Sequence, residues 1–373
     1  MKKNGRFYDR GFTRKIPDRL KTNDKVAIVS LSSGILGETF AKHELEIGLR
    51  RLREYGLEPV IMENALNGLE DLDRHPEYRA QDLKDAFLDN SIKAVICAIG
   101  GDDTYRLYPY LMEDREFIQA VQNHPKIFTG FSDTTMNHLM FSRLGMVTFY
   151  GPNFLVDLAE LAEGMLPYTA KSFEKFLETG EPFEIHSSLV WYKDRESYDE
   201  TQIGMNRTTC IEEHGYEILN GSGIVQGKLY GGCIESIYDG FTGYDTCREE
   251  VDICKKYNIF PSLAEWSEKI LFVETSESAS TPEHLKEMLL ELKDRKILQT
   301  VRGLIVGKPI DEEYYNEYKN VYYEVFADLN TPVLYNMNFG HSLPRCILPY
   351  GITAEVDYND GRVRTVEKYL MDR

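Results

Sequence analysis

KVAIVSL (25–31) is a continuous run of apolar and β-branched residues with no alternation. That is the pattern of a strand covered on both faces. Just after it, Phe40, Leu45, Leu49 and Leu52 fall near one face of a helical pattern, with Lys42, Glu46, Arg50 and Arg53 on the other. Gly56 stops that helix, and LEPVIM (57–62) reads as the second strand. A further helix runs from Pro76, placed where a first-turn proline belongs, to Asp89. IKAVICAI (92–99) and KIFTGF (126–131) read as the third and fourth strands, the latter running into a helix over Thr134–Leu144. Buried strands alternating with helices predict an α/β fold with a parallel sheet and right-handed crossovers. This domain spans 24–165, behind an arm of residues 1–23.

Residues 166–221 lose the rhythm: DRESYDETQ (194–202) and IEEHGYE (211–217) are polar clusters, and Trp191 stands among them. A loop-rich stretch of this kind is a linker or a wall of the site. Order returns in 222–373, read as a smaller mixed α/β domain. Here GSGIVQGKLYGG (221–232), ILFVE (270–274), GLIVG (303–307) and PVLYN (332–336) are strands. Helices are expected near 232–241, at Pro282–Asp294 and around 312–329. ITAEVDY and RVRTVE flank Asn359–Asp360–Gly361, a hairpin signal.

At 373 residues, two domains is the default count. The chain holds 61 acidic against 43 basic residues, a net charge of −18, which repels nucleic-acid phosphates and anionic lipid. The longest apolar stretch, about Val95 to Gly101, falls far short of the ~18 residues of a membrane span. The basic N-terminus has no apolar segment behind it, so it reads as a frayed or surface-draped arm and not as an export signal. Cys97, Cys210, Cys233, Cys247, Cys254 and Cys346 show no CxxC spacing. The plain reading is a cytosolic, reduced protein with neither metal nor cofactor.

Parallel sheets hold ligands at the carboxyl ends of their strands. Gly100–Gly101–Asp102–Asp103–Thr104 follows the third strand, and its paired glycines let a backbone approach a ligand closely. A tight turn capped by Asp103 or Thr104 is the plainer account of the same residues. Gly130–Phe131–Ser132–Asp133–Thr134 follows the fourth strand and exposes a serine hydroxyl at the sheet edge, as a nucleophile elbow does. Thr134 replaces that motif's last glycine, and Ser132 or Asp133 would also cap the helix. Glu274 ends an apolar strand and, taken alone, reads as a strand-end carboxylate reaching solvent. Of the eight histidines, His341 alone lies between a strand and a rigid Gly- and Pro-punctuated loop. Together these residues supply a nucleophile, an orienting carboxylate and an imidazole base.

The set resembles the LD-carboxypeptidase family of serine peptidases, and within it the branch of microcin C self-immunity peptidases. KVAIVSLSSG, AIGGDDTYRLYPYL, KIFTGFSDTTMNHLM with TFYGPN behind it, ILFVETSES and FGHSLPRCILPYG carry the likeness, over about residues 24–357. The resemblance implies a Rossmann- or flavodoxin-like N-terminal domain, of class I glutamine amidotransferase type, and a swivelling β/α C-terminal domain. It implies catalytic roles for Ser132, Glu274 and His341, oxyanion donation from the N–H groups of Gly101 and Asp133, and a cytoplasmic homodimer. The reaction implied is cleavage of an amide next to a terminal residue, in a murein tetrapeptide or a peptidyl- or aminoacyl-nucleotide. Gly100, Asp102, Asp103 and Trp191 are the candidate substrate contacts, with Trp191 as an aromatic to stack on a nucleotide. Two departures lie near the expected pocket: Ile99 with Asp102–Asp103 around the paired glycines, and Gly231–Gly232–Cys233 where the family has Gly-Gly-Asn. Gly-Gly-Asp-x-Thr also resembles the phosphate-binding turn of NAD and lipid kinases, which leaves an ATP- and Mg²⁺-dependent kinase as an alternative. A non-catalytic binding homologue is the third.

Overall fold

The opening run becomes β1 (Lys25–Val29), paired in parallel with β2 (Glu58–Ile61) on one side and β3 (Ile92–Cys97) on the other. The computed structural model describes residues 13–244 and 248–373; Cys247 and residues 1–12 of the arm lie outside the described residues. β4 (Ile127–Gly130) and β5 (Thr148–Tyr150) extend the parallel sheet. Its crossovers include the helices Lys42–Glu54, Pro76–Leu88 and Thr134–Arg143. Alternate residues feed opposite faces, as strand geometry requires. Val29, Val95 and Phe128 enter one apolar cluster, whereas Ile28, Ile96 and Ile127 enter the other. That two-sided burial is why the strands lack polar alternation.

Phe40 departs from expectation. It precedes the helix Lys42–Glu54, in the turn Thr39–Ala41, and is 61 % exposed. The face that the helix buries carries Ile47 and Leu52 instead, with Gly48 pressed against the Phe154 ring so closely that a Cβ would overlap it.

Residues 166–221 supply the short strands β6 (Glu184–Ile185), β7 (Val190–Tyr192), β8 (Thr209–Ile211) and β9 (Glu217–Asn220). β7 and β8 form a separate hairpin, while β6 and β9 cap the two edges of the second sheet. Strands of two to four residues carry too little pattern to be read from sequence. The middle of that sheet is parallel: β10 (Ile224–Cys233), β11 (Lys269–Glu274), β12 (Gly303–Gly307) and β13 (Val333–Met337). After them β14 (Leu348–Tyr350) crosses back and pairs antiparallel with β5, closing the edge of the first sheet. β15 (Thr353–Asp357) and β16 (Arg362–Thr365) form the expected hairpin, with Gly361 at φ 69° in its turn. The helix expected around 312–329 begins only at Tyr315, because Asp311, Glu312 and Tyr314 adopt positive φ just ahead of it.

The two sheets share an aromatic core. The Tyr150 ring lies 5.4 Å from Phe272, and Tyr230 lies 4.6 Å from Tyr350. The described part of the arm is pinned to both lobes: Lys15 exchanges backbone hydrogen bonds with Gly145 and Val147, and Arg19 N donates to Met371. Strand ends from both lobes therefore face one cleft in a fixed relation.

Candidate active site

Ser132 stands at the turn between β4 and the helix Thr134–Arg143, at φ 64°. A non-glycine residue in that region is strained, and here the surroundings hold it there. Its N–H donates to the Tyr150 hydroxyl at 3.1 Å. Gly100 backs it, where a Cβ would come within 2.6 Å of the Ser132 Cβ. Gly101, at φ 148°, faces Ser32. Among the described residues, the N–H groups of Gly101 and Asp133 have no hydrogen-bond acceptor.

The acidic residues of these two turns do structural work. Asp133 Oδ2 accepts from the Ser32 hydroxyl at 2.6 Å and from Thr104 N at 2.9 Å, tying three loops together. Burial pushes its carboxyl up to about 6, and the nearby Asp103 and Asp102 add to that. Asp103 is gripped by Arg79 through both oxygens, at 2.5 and 2.9 Å, and by Arg106 at 2.7 Å. Burial alone would raise its carboxyl, but the two arginines outweigh burial and hold it below the usual range. Asp103 is thus a brace of the glycine turn.

Glu274, 1 % exposed at the end of β11, is far from solvent. The Tyr150 hydroxyl donates to its Oε1 at 2.5 Å; His341 Nδ1 and the His341 backbone N–H donate to Oε2 at 2.8 and 3.1 Å. Gly340, at φ 78°, lets the chain pass so close that a Cβ would lie 2.3 Å from the Glu274 carboxyl carbon. Tyr150 therefore bridges the lobes, with its oxygen joining the Ser132 backbone to Glu274. Nothing in the sequence marks this tyrosine; its role arises only where β5 meets β11.

His341 is buried, its ring edge-on to Phe131 at 5.0 Å between centroids. Its Nε2 faces Glu277 Oε2 at 2.8 Å. Burial pushes the imidazole down, but Glu274 and then Glu277 outweigh it and hold the ring up at about 10. The hydrogen bond from His341 in turn pulls the Glu277 carboxyl down to about 2. Glu277, two-thirds exposed on the polar loop after β11, looks in sequence like an ordinary solvated charge.

Ser132, Gly101, Asp102 and Glu277 line two adjoining cavities, of about 700 and 510 Å³. The larger is strongly acidic, with Asp102, Asp103, Glu235, Asp239, Glu249 and Glu250 in its wall; Cys233, the departure from Gly-Gly-Asn, is there too. The smaller is more apolar and contains His341, Phe40, Phe131 and Tyr198. Trp191 lines neither. It is 6 % exposed, with Lys308 Nζ 5.2 Å from its ring, and borders a separate small cavity with Cys210 and His214. The aromatic rings at the cleft come from Tyr105 in the larger cavity and from Phe40, Phe131 and Tyr198 in the smaller.

Tyr150→Phe tests the bridge. Removing the hydroxyl leaves the half-buried Ser132 N–H without an acceptor and the buried Glu274 Oε1 without its donor, which costs about 1–3 kcal/mol. Denaturant titration is expected to show that loss; an unchanged midpoint and slope would mean the bridge carries no stability.

Two family models match the chain: the LD-carboxypeptidase N-terminal domain over residues 26–151 and the LD-carboxypeptidase C-terminal domain over 226–356. A crystal structure of an MccF-like protein from Streptococcus pneumoniae, in complex with AMP, is 45 % identical with a TM-score of 0.87; the match covers 92 % of this chain and 99 % of that one. The microcin C7 self-immunity protein MccF of Escherichia coli is 26 % identical, over 91 % of this chain and 92 % of its own. An MccF-like protein from Bacillus anthracis shares the fold at 24 % identity, with a TM-score of 0.77, covering 94 % of this chain and 99 % of that one. The matched models divide the chain as the cleft does, with Ser132 inside the first segment and Glu274 and His341 inside the second, and on that basis the chain belongs to the LD-carboxypeptidase family.

Proposed function

We propose that this chain is a serine peptidase that hydrolyses an amide next to a terminal residue, with Ser132 as nucleophile, His341 as general base and Glu274 as its orienting carboxylate. One observation carries the reading: Glu274 holds His341 Nδ1 at 2.8 Å, in the same cleft where Ser132 is presented on a strained turn. In that role Nε2 takes the Oγ proton as Oγ bonds to the substrate carbonyl carbon. The oxyanion is received by the N–H groups of Gly101 and Asp133, each contributing roughly 3 kcal/mol. The C–N bond then breaks as Nε2 returns the proton to the leaving nitrogen, and water releases the acyl group by the same route in reverse.

Glu277 must leave Nε2 for this to happen. While it stays, the ring holds its proton up to about 10 and cannot accept another. Glu277→Gln removes one of the charges that favour the imidazolium, so the neutral base appears at lower pH. The rising acidic limb of kcat/KM is expected to move down by about 1 pH unit or more. An unmoved limb would show that Glu277 does not control this imidazole.

The acidic wall of the larger cavity suits a cationic group, and the smaller, more apolar cavity, with the rings of Phe40, Phe131 and Tyr198 in its lining, suits a nucleotide base. The pneumococcal MccF-like relative holds AMP, which supports a peptidyl- or aminoacyl-nucleotide as the substrate class. The deciding experiment offers a murein tetrapeptide and an aminoacyl-adenylate amide side by side and identifies products by mass spectrometry. Cleavage of the adenylate amide alone supports the nucleotide reading. Cleavage of the tetrapeptide alone replaces it, and no cleavage of either, with no labelling of Ser132 by a fluorophosphonate, removes the hydrolase reading.

A further inference from the structure

Among the described residues, Glu44 is the only buried carboxylate without a hydrogen-bond or ion-pair partner. It lies in the first turn of the helix Lys42–Glu54, 7 % exposed, and lines the smaller cavity. Among the described residues its carboxyl has no hydrogen-bond or ion-pair partner. Other buried carboxylates are satisfied: Glu160 by Arg195 and Arg207, Asp157 by Arg345, and Glu274 by Tyr150 and His341. A buried carboxyl with no partner costs free energy unless something else meets it. Burial, with the Glu160 charge behind it, pushes Glu44 up to about 7, so the neutral acid is well populated near neutral pH.

The walls beside it are flat and aromatic. The exposed Phe40 ring comes from the turn Thr39–Ala41 just ahead of Glu44's helix, and Tyr198 comes from the loop between β7 and β8. Tyr198 is held in place: its backbone oxygen meets His43 Nε2 at 2.9 Å, its hydroxyl donates to Asp194, and Arg207 lies 5.5 Å from its ring. Aromatic faces in a cavity with a polar group that has no partner are what a nucleobase can use, stacking for the ring and a hydrogen-bond partner for its edge.

We propose that Glu44 reads the amino-bearing edge of a purine in the smaller cavity, accepting from the exocyclic amine of adenine and donating to the adjacent ring nitrogen. The inference rests on the nucleotide reading given above. A neutral carboxyl supplies one acceptor and one donor, which match the N6 amine and N1 of adenine. A purine without the amine leaves the acceptor oxygen without that partner.

The test uses the full chain, with binding followed by calorimetry and two probes: AMP and purine riboside 5′-monophosphate, which lacks the amine. AMP is expected to bind about tenfold more tightly or better. Glu44→Gln retains the preference because its amide offers the same acceptor and donor, whereas Glu44→Leu abolishes it by weakening AMP, which loses two bonds, more than the amine-free probe, which loses one. Equal binding of both probes to the unaltered protein overturns the role of Glu44 and leaves the nucleotide reading standing. Loss of the preference in Glu44→Gln overturns it as well. Binding of neither probe removes the nucleotide reading, and this inference with it. Should Glu44→Leu fail to fold by thermal melt, the two probes on the unaltered protein and on Glu44→Gln still decide.

Discussion

Ser132→Ala is expected to fold as the unaltered chain does and to lose about 10⁴-fold or more in kcat/KM. The fold should survive because, among the described residues, the Ser132 hydroxyl has no hydrogen-bond partner that alanine would forfeit. The left-handed turn is held from outside, by the hydrogen bond from the Ser132 N–H to Tyr150 and by Gly100 against its Cβ. Activity should fall because no other group at the turn can form the acyl bond. What remains would come from the backbone donors and substrate positioning, which survive the loss of a nucleophile. The measurements are turnover of the preferred substrate and a thermal melt. A mutant that melts normally and keeps near-parental turnover would remove Ser132 from the mechanism.

Glu274→Gln is expected to lower kcat by about 10⁴-fold, the scale found when a triad carboxylate becomes an amide. The geometry adds a stability cost. Both carboxylate oxygens accept: Oε1 from the Tyr150 hydroxyl, Oε2 from His341 Nδ1 and the His341 backbone N–H. An amide presents one oxygen and one NH₂, so whichever way it turns, one buried donor faces another donor. If the NH₂ meets His341, the ring must take the other tautomer and Nε2 carries the proton, so it cannot serve as base. If the NH₂ meets Tyr150, the bridge to Ser132 fails. Either arrangement costs about 1–3 kcal/mol. Kinetics with denaturant titration checks both halves, and a variant within tenfold of the parent in kcat would show that Glu274 does not orient the base.

The two variants also separate the lobes. Ser132 belongs to the parallel sheet and Glu274 to the second one, and Tyr150 joins them. A displacement of ~1 Å between the lobes could cost about a hundredfold in rate without unfolding either. The shared aromatic core and the return of β14 to the first sheet oppose such a shift.

The parts legible in sequence are those written in local pattern. KVAIVSL and IKAVICAI show their burial because both faces of each strand are covered, and the helix Pro282–Asp294 and the strand GLIVG lie where periodicity puts them. Ser132 was visible as a polar residue at a strand-to-helix turn, and His341 as a histidine without a helical face. Trp191 was misleading, because an aromatic in a polar stretch looks available to a ligand whether or not the fold buries it. Here Lys308 lies over its ring. Phe40 looked like core and faces the cleft, because the helix begins two residues after it.

By itself, then, the sequence determined the longer strands of both sheets, their crossovers and the turn that carries Ser132, since backbone conformation follows from neighbours a few residues apart. Tertiary structure alone decided that Tyr150 joins Ser132 to Glu274, that Glu277 rests on His341, and that Glu44 faces a cavity unpaired. Those relations depend on segments brought together across the chain by packing of the two sheets, and no local period records which side chains will meet there.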